Sequence, residues 1–282
     1  MTTYALTGVT GRFGRTAVKR LVELVGSENV VALARNVERA KKLVPAGVTV
    51  RPGNYDDVDQ LTTSLQGVDR LLLISSQPGG PVPREQQHRN VIDAAKAAGV
   101  SFVAYTSFPR ADRSTAALAA DHRVTEDYIR DSGLDYSFLR NNWYLENESS
   151  TLRHAHAGRP FVYSAAAGKA GWALEREYAE AAADVLAMDQ PRTQYEFAGP
   201  ARTYKDLADA TQGDFDVLSV DDEAYSAGLQ QAGLDEPTAQ LITSFQTLIR
   251  DGQLDVDSTD LQDVLGHELT PIEDAIRDVV GD

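Results

Sequence analysis

The stretch TGVTGRFG sets Gly8, Gly11 and Gly14 three residues apart. Glycines in that pattern suit a turn whose backbone N–H groups cradle a pyrophosphate. Gly8 would make the sharp turn, Gly11 would let the phosphates approach, and Gly14 would permit close strand–helix packing. Thr10, Arg12 and Phe13 complete the loop, and the N–H groups from Thr10 to Phe13 would face the phosphates. Ordinary tight turns also use glycine, so a second position must decide. In VVALARN no acid ends the strand where one would bond a ribose 2′-hydroxyl; Arg35 stands there, 21 positions after Gly14. A guanidinium there can pair with a 2′-phosphate, which points to NADP(H) over NAD(H). Asn36 can assist through its amide, and Arg39 and Lys41 add positive field.

Small polar residues follow other apolar runs: Tyr55 and Asp56 in GNYDD, Ser75 and Ser76 in LLLISS, Thr106 and Ser107 in AYTS. At strand ends they could border adenine, ribose or nicotinamide; each could equally make a turn or cap. A familiar catalytic pair is missing, because none of the eleven tyrosines has a lysine four residues later. Tyr136 and Arg140 imitate the spacing on a predicted strand, where four residues span about 13 Å. A hydride acceptor needing little help with protons is therefore expected, such as a quinone or a similar planar, electron-poor system. The sequence HAH at 154–156 has metal-like spacing, but with no cysteine and no partner pattern it predicts no metal site.

The elements that position these residues alternate over the first 140 residues. Strands are expected at Tyr4–Leu6, Val30–Ala34, Val48–Pro52, Arg70–Ile74, Phe102–Tyr105 and Tyr136–Leu139. Helices are expected at Gly14–Leu24, Val37–Leu43, Val58–Leu65, Arg84–Ala98 and Ala116–Arg130, with Gly99 and Gly133 at C-terminal caps. This is the pattern of a Rossmann-type α/β fold, a doubly wound parallel sheet, with a smaller, mostly helical C-terminal substrate domain. The nucleotide domain is assigned to 1–140, joined by about 175–198; the substrate domain takes 141–174 and 199–282, with its cleft at the strand ends. A helix from Trp143 to about Leu152, a strand Phe161–Tyr163, a helix Glu175–Met188 and a strand Tyr195–Phe197 are expected. In the closing LTPIED, Thr270 should cap, with Pro271 in the first turn and Glu273 completing a capping box.

Of 282 residues, 42% are hydrophobic, which suits a globular chain with a real core. The net charge of -15 divides as +4, -4 and -15 over residues 1–100, 101–200 and 201–282. A basic first third suits an anionic cofactor, while the acidic last third reads as a solvated face and opposes nucleic-acid binding. No stretch approaches the roughly 20 apolar residues of a membrane span, and a strand starting near Thr3 leaves no room for a secretion signal. A cytoplasmic protein without membrane insertion, monomeric or homodimeric, is expected. The absence of cysteine excludes disulfides and thiol chemistry.

Together TGVTGRFG, ALARN, LLLISS, QHRNVIDAAKAAGVSFVAYTS and DSGLDYSFLRNNWYLEN resemble the NmrA-like, atypical short-chain dehydrogenase/reductase family, and most closely its bacterial quinone-reducing members. The similarity extends over the whole chain. It implies that the glycine loop holds the phosphates, that Arg35 reads the 2′-phosphate, and that Ser75, Ser76 and Thr106 lie along the cofactor. Asn141, Asn142, Trp143 and Tyr144 would border the nicotinamide or a flat, aromatic substrate cleft. His122, in AADHRVTED, falls near the helix position where some relatives place a catalytic lysine, so it and Tyr144 are the candidates for the chemical step. A helix-surface role for His122 is the alternative, and His88 is expected to serve local packing. The loop SQPGGPVPREQ, rich in proline and glycine, departs from the family pattern at the pocket rim. Two other functions stay open: a non-catalytic NADP(H) sensor of the NmrA type, and a reductase of a dye or other xenobiotic.

Overall fold

The computed structural model describes residues 1–77 and 79–281, so Pro78 of the SQPGGPVPREQ loop lies outside the described residues. The chain begins β1 (Tyr4–Leu6), α1 (Arg12–Val25), β2 (Val30–Ala34), α2 (Val37–Lys41), β3 (Thr49–Pro52), α3 (Val58–Ser64) and β4 (Arg70–Leu73). It continues α4 (Arg84–Ala98), β5 (Phe102–Ser107), α5 (Ala117–Ser132), β6 (Asp135–Asn141), α6 (Ser149–His156), β7 (Phe161–Tyr163), β8 (Lys169–Ala170), α7 (Glu175–Ala187) and β9 (Gln194–Phe197). It closes with β10 (Arg202–Thr203), α8 (Tyr204–Ala210), β11 (Val217–Ser219), α9 (Asp222–Gln231), α10 (Glu236–Arg250), α11 (Asp260–Leu265) and α12 (Ile272–Val280).

The chain divides into two compact units. The first holds Met1–Asn141, Glu175–Phe197 and Asp260–His267. Its seven strands form one parallel sheet in the order β3-β2-β1-β4-β5-β6-β9. The order reverses between β1 and β4, where a crevice opens at the carboxyl ends of the strands in folds of this type. The strands are nearly continuous apolar runs because both faces are covered. One face buries Val31, Leu71, Val103, Tyr105 and Phe138 beneath Leu61, Val91, Ile92 and Ile129 of α3, α4 and α5. On α7, Ala179, Ala181, Ala182 and Ala183 are fully buried, small enough for its backbone to lie close to α1. The pair is pinned by Arg20 Nε, 2.8 Å from Asp184 Oδ1.

Local chemistry sets the boundaries. Asn36 and Asp57 accept the N–H groups of Arg39 and Gln60, starting α2 and α3. Gly99 and Gly133 take the left-handed conformation that ends α4 and α5. Asp260–His267 packs with the first unit, whereas the sequence reading gave it to the second. The cause is Asp260, which accepts the Glu196 N–H at 2.8 Å and pairs with Arg192 at 2.6 Å.

The second unit holds Asn142–Leu174, Ala198–Thr259 and the chain from Glu268 onward. It pairs β7 with β11 in parallel and β8 with β10 antiparallel, and is otherwise mostly helical. Two sequence expectations need correction here. Trp143 and Tyr144 are not helical: the Trp143 N–H goes to Asn142 Oδ1 and Tyr144 bridges Ala173, so only a 3₁₀ turn at Leu145–Glu148 precedes α6. The last helix starts one residue later than the capping box requires, with Pro271 at the N-cap in an extended conformation, which moves Thr270 outside it.

Candidate functional site

The turn from β1 into α1 has the geometry of a phosphate cradle. Gly8 has φ +65°, and a Cβ there would lie 3.3 Å from Ile74 Cβ. A Cβ on Gly14 would fall 2.3 Å from the Gly8 carbonyl oxygen, so the helix approaches the strand as closely as glycine permits. A Cβ on Gly11 would meet only the Gly8 oxygen, at 3.5 Å, leaving its outer side open. Gly11 is the N-cap of α1 and supplies no side chain to cap the first-turn N–H groups behind it. Phe13 is buried, Thr10 half-buried, and Arg12 largely exposed. One N–H is already taken: Phe13 donates to Glu175 Oε1 at 2.9 Å, while Arg12 Nε lies 3.0 Å from Glu175 Oε2. Glu175 opens α7, and nothing in the local sequence signals its approach to the loop 162 residues away.

Arg35 directly follows β2 and is exposed, with no ion-pair partner among the described residues. Lys41 pairs with Glu38 at 2.7 Å, so it contributes little net field, and the Asn36 carbonyl is occupied as the α2 cap. The ends of β1, β4 and β5 are laced together. Ile74 N–H donates to Thr7 Oγ1 at 2.9 Å, and Ser75 N–H to Thr106 Oγ1 at 2.8 Å. The Tyr55 hydroxyl donates to the Ile74 carbonyl at 2.7 Å; burial raises its pKa, so it is a neutral donor. Thus Gly8 to Gly14, Arg35, Ser75, Ser76, Thr106 and Asn141 all lie at or just beyond the carboxyl edge of the first unit's sheet.

Behind that edge runs a buried chain of side chains. His88 Nε2 accepts the Ser76 N–H at 3.0 Å, which places the ring proton on Nδ1, 2.9 Å from Thr125 Oγ1. Thr125 in turn donates to the Asp121 carbonyl at 2.7 Å. The acceptor left for the Tyr105 phenol is His122 Nδ1 at 2.8 Å. Burial, reinforced by the Arg84 charge, lowers the His88 pKa to about 3. His122 is also held well below its usual value, by burial, then Arg84, then His88. His122 is therefore a buried, neutral imidazole packed by Tyr105 and Phe108, not the helix-surface group of the alternative reading. His88 is equally integral: it ties the Ser76 backbone to α5.

A second buried cluster holds β5, β6 and β9 together. Arg140, 1% exposed, makes paired contacts with Glu126 at 2.9 and 2.7 Å, and reaches Glu196 at 2.9 Å and Asp112 at 2.7 Å. Ser107 donates to the same Glu126 carboxylate. Arg140 is thus committed to the sheet and has no partnership with Tyr136.

Within the second unit, the Asn142 side chain accepts from Trp143 N–H and Gly171 N–H and donates to the Leu254 carbonyl. Those bonds give Asn142 a role in holding its own loop. Trp143 packs edge-on to Phe245 at 5.3 Å and donates its indole N–H to the buried Glu148, which also accepts from Tyr204. Tyr144 precedes the 3₁₀ turn and is half-buried. Trp172 is buried in this unit, whereas Tyr178 is buried on α7 of the first. Among the described residues no cluster of His, Cys, Asp or Glu could hold a metal ion, and no helix is long and apolar enough to cross a membrane.

Residues 8–170 match the profile of the family described as NAD(P)H-binding. The chain belongs to that family. It is 39% identical to quinone oxidoreductase 2 of Escherichia coli K12 over 280 residues, 96% of either chain. The crystal structure of the E. coli NADPH-dependent quinone oxidoreductase complexed with NADPH superposes with a TM-score of 0.91 at 37% identity, covering 98% of this chain and 99% of that one. The Citrobacter sp. triphenylmethane reductase complexed with NADP(H) matches with a TM-score of 0.92 at 31% identity, over 98% and 99%. The NmrA-like resemblance and the Rossmann-type fold read from the sequence are both shown by these similarities.

Proposed function

We propose that this protein is an NADPH-dependent reductase of quinones or similar planar, electron-poor acceptors. The observation that carries the reading is the glycine cradle at the sheet's switch point with Arg35 exposed and unpaired at the end of β2. The cradle fits a dinucleotide: the outer side of Gly11 is open and α1 presents its positive end. Gly8, Thr10, Gly11, Arg12, Phe13 and Gly14 would hold the pyrophosphate and Arg35 the 2′-phosphate. Ser75, Ser76, Thr106 and Asn141 would line the rest of the cofactor. Bound NADPH would supply a hydride from its nicotinamide.

The protein's contribution is position: the first unit takes the nucleotide, and Trp143 and Tyr144 are the aromatic candidates for contact with a planar acceptor. The likeness to the E. coli quinone reductase supports the acceptor class. The neutral His122 cannot store a proton at neutral pH, so any part it takes is as a hydrogen-bonding group, and protons for the reduced acceptor come from Tyr144 or water. Purified protein should oxidise NADPH with benzo- and naphthoquinones; a rate no higher than the uncatalysed one would overturn the proposal. A panel including triphenylmethane dyes separates quinone from dye reduction, a reading favoured by the likeness to the Citrobacter enzyme. Equal binding of NADPH and NADP+ without any turnover would instead identify a nucleotide sensor.

A further inference from the structure

Glu175 places a carboxylate on the loop that otherwise collects positive potential for phosphates. Its Oε1 accepts the Phe13 N–H at 2.9 Å and its Oε2 lies 3.0 Å from Arg12 Nε. The Glu175 side chain is only 13% exposed, whereas Arg12 is 65% exposed. The carboxylate is well placed on its own account, since it opens α7 and so sits at the positive ends of two helices, α1 and α7. It therefore neutralises the loop's cation and occupies one of the backbone donors that a pyrophosphate oxygen would use.

We infer that Glu175 is an affinity-setting residue: a resident anion that competes with the cofactor pyrophosphate for Arg12 and the Phe13 N–H and so weakens the hold on NADP(H). The inference rests on the proposed cofactor site. Two anions at one helix terminus repel, and the partial burial of Glu175 limits the screening of that repulsion. Because the pyrophosphate is common to both nicotinamide cofactors, Glu175 acts on NADPH and NADH alike, whereas Arg35 distinguishes them.

The test is fluorescence titration of the full chain with NADPH and NADH, in wild type, Glu175→Gln, Arg12→Gln and the double variant, with a thermal melt of each to verify folding. Glu175→Gln keeps an acceptor for Phe13 but removes the charge, and should tighten both cofactors by about 3- to 10-fold with their ratio unchanged. Arg12→Gln removes the loop's cation facing the carboxylate and should weaken both; adding Glu175→Gln should restore most of the loss. Unchanged or weaker binding in Glu175→Gln overturns the inference, as does failure of the double variant to recover. If wild type binds neither cofactor, the proposed function itself fails, a result distinct from either of these.

Discussion

Arg35 differs from its basic neighbour Lys41 in pairing. It is exposed and unpaired, while Lys41 nearby is matched by Glu38. Arg35→Ala should weaken NADPH by about 1.5–3 kcal/mol, the worth of hydrogen bonds to a charged group, and leave NADH almost unchanged. Parallel titrations with the two cofactors check this; equal weakening removes the assignment. The buried imidazoles make a second prediction. For His88 and His122 the folded pKa lies below the unfolded value near 6.5, so the unfolded state takes up protons first as pH falls. Their contribution is complete above about pH 6.5 and declines as pH falls below it, for His88 down to about pH 3, by up to about 1.4 kcal/mol per pH unit. Melting temperatures between pH 7.5 and 5 should fall, and His88→Gln should fall less steeply than wild type. The raised carboxyl pKa values of Glu148 and Glu196, both pushed up chiefly by burial, work in the opposite sense. Their stabilisation is present below the ordinary carboxylate range and is lost as pH rises through their folded values. Arg35 was legible in the sequence because it follows a recognisable strand. The His88 chain was not, since its contacts join residues 12 and 37 positions apart on different elements.

The junction of β1 and α1 is an element-scale device. The missing Cβ of Gly14 lets the helix lie against the Gly8 backbone, which cannot yield as a flexible side chain would. Gly14→Ala should cost about 3 kcal/mol, the upper end of overpacking effects, and should also weaken cofactor binding by tilting the N–H groups of α1. Urea unfolding alongside NADPH titration tests both. At the other side of the sheet, Arg140 neutralises a Glu126 carboxylate that is fully buried. Arg140→Met should cost about 3–5 kcal/mol because it strands that charge, with Arg130 at 3.0 Å as partial compensation. Replacing both groups, as Arg140→Met with Glu126→Leu, should recover part of the loss in the same unfolding measurement. Strand and helix periodicities were readable in the sequence, with β1, β2 and α4 matching at both ends. The stretch after Asn142 was misread because Tyr144 bridges Ala173 and the Leu145 N–H donates to the Ala173 carbonyl at 2.9 Å, pairings across the chain that no local pattern signals.

For the whole molecule, a cofactor that binds only the folded chain must stabilise it. NADPH at 100 times its dissociation constant should add about 2.7 kcal/mol, and NADH at the same concentration less. Thermal melts with each nucleotide measure this, and equal shifts would count against the preference for NADPH. The sequence by itself determined the alternation of strands and helices through β6, the glycine turn, the positive residue after β2 and the family. Each of these depends on neighbours within a turn or strand, where backbone sterics and spacing leave few alternatives. Only the tertiary structure decided which polar groups are spent and which remain. Folding gave Asn142 to its own loop, made His122 a buried neutral ring, and brought Glu175 to the phosphate turn across 162 positions of chain. Burial and pairing are properties of what surrounds a side chain, and those surroundings exist only once distant segments have packed together.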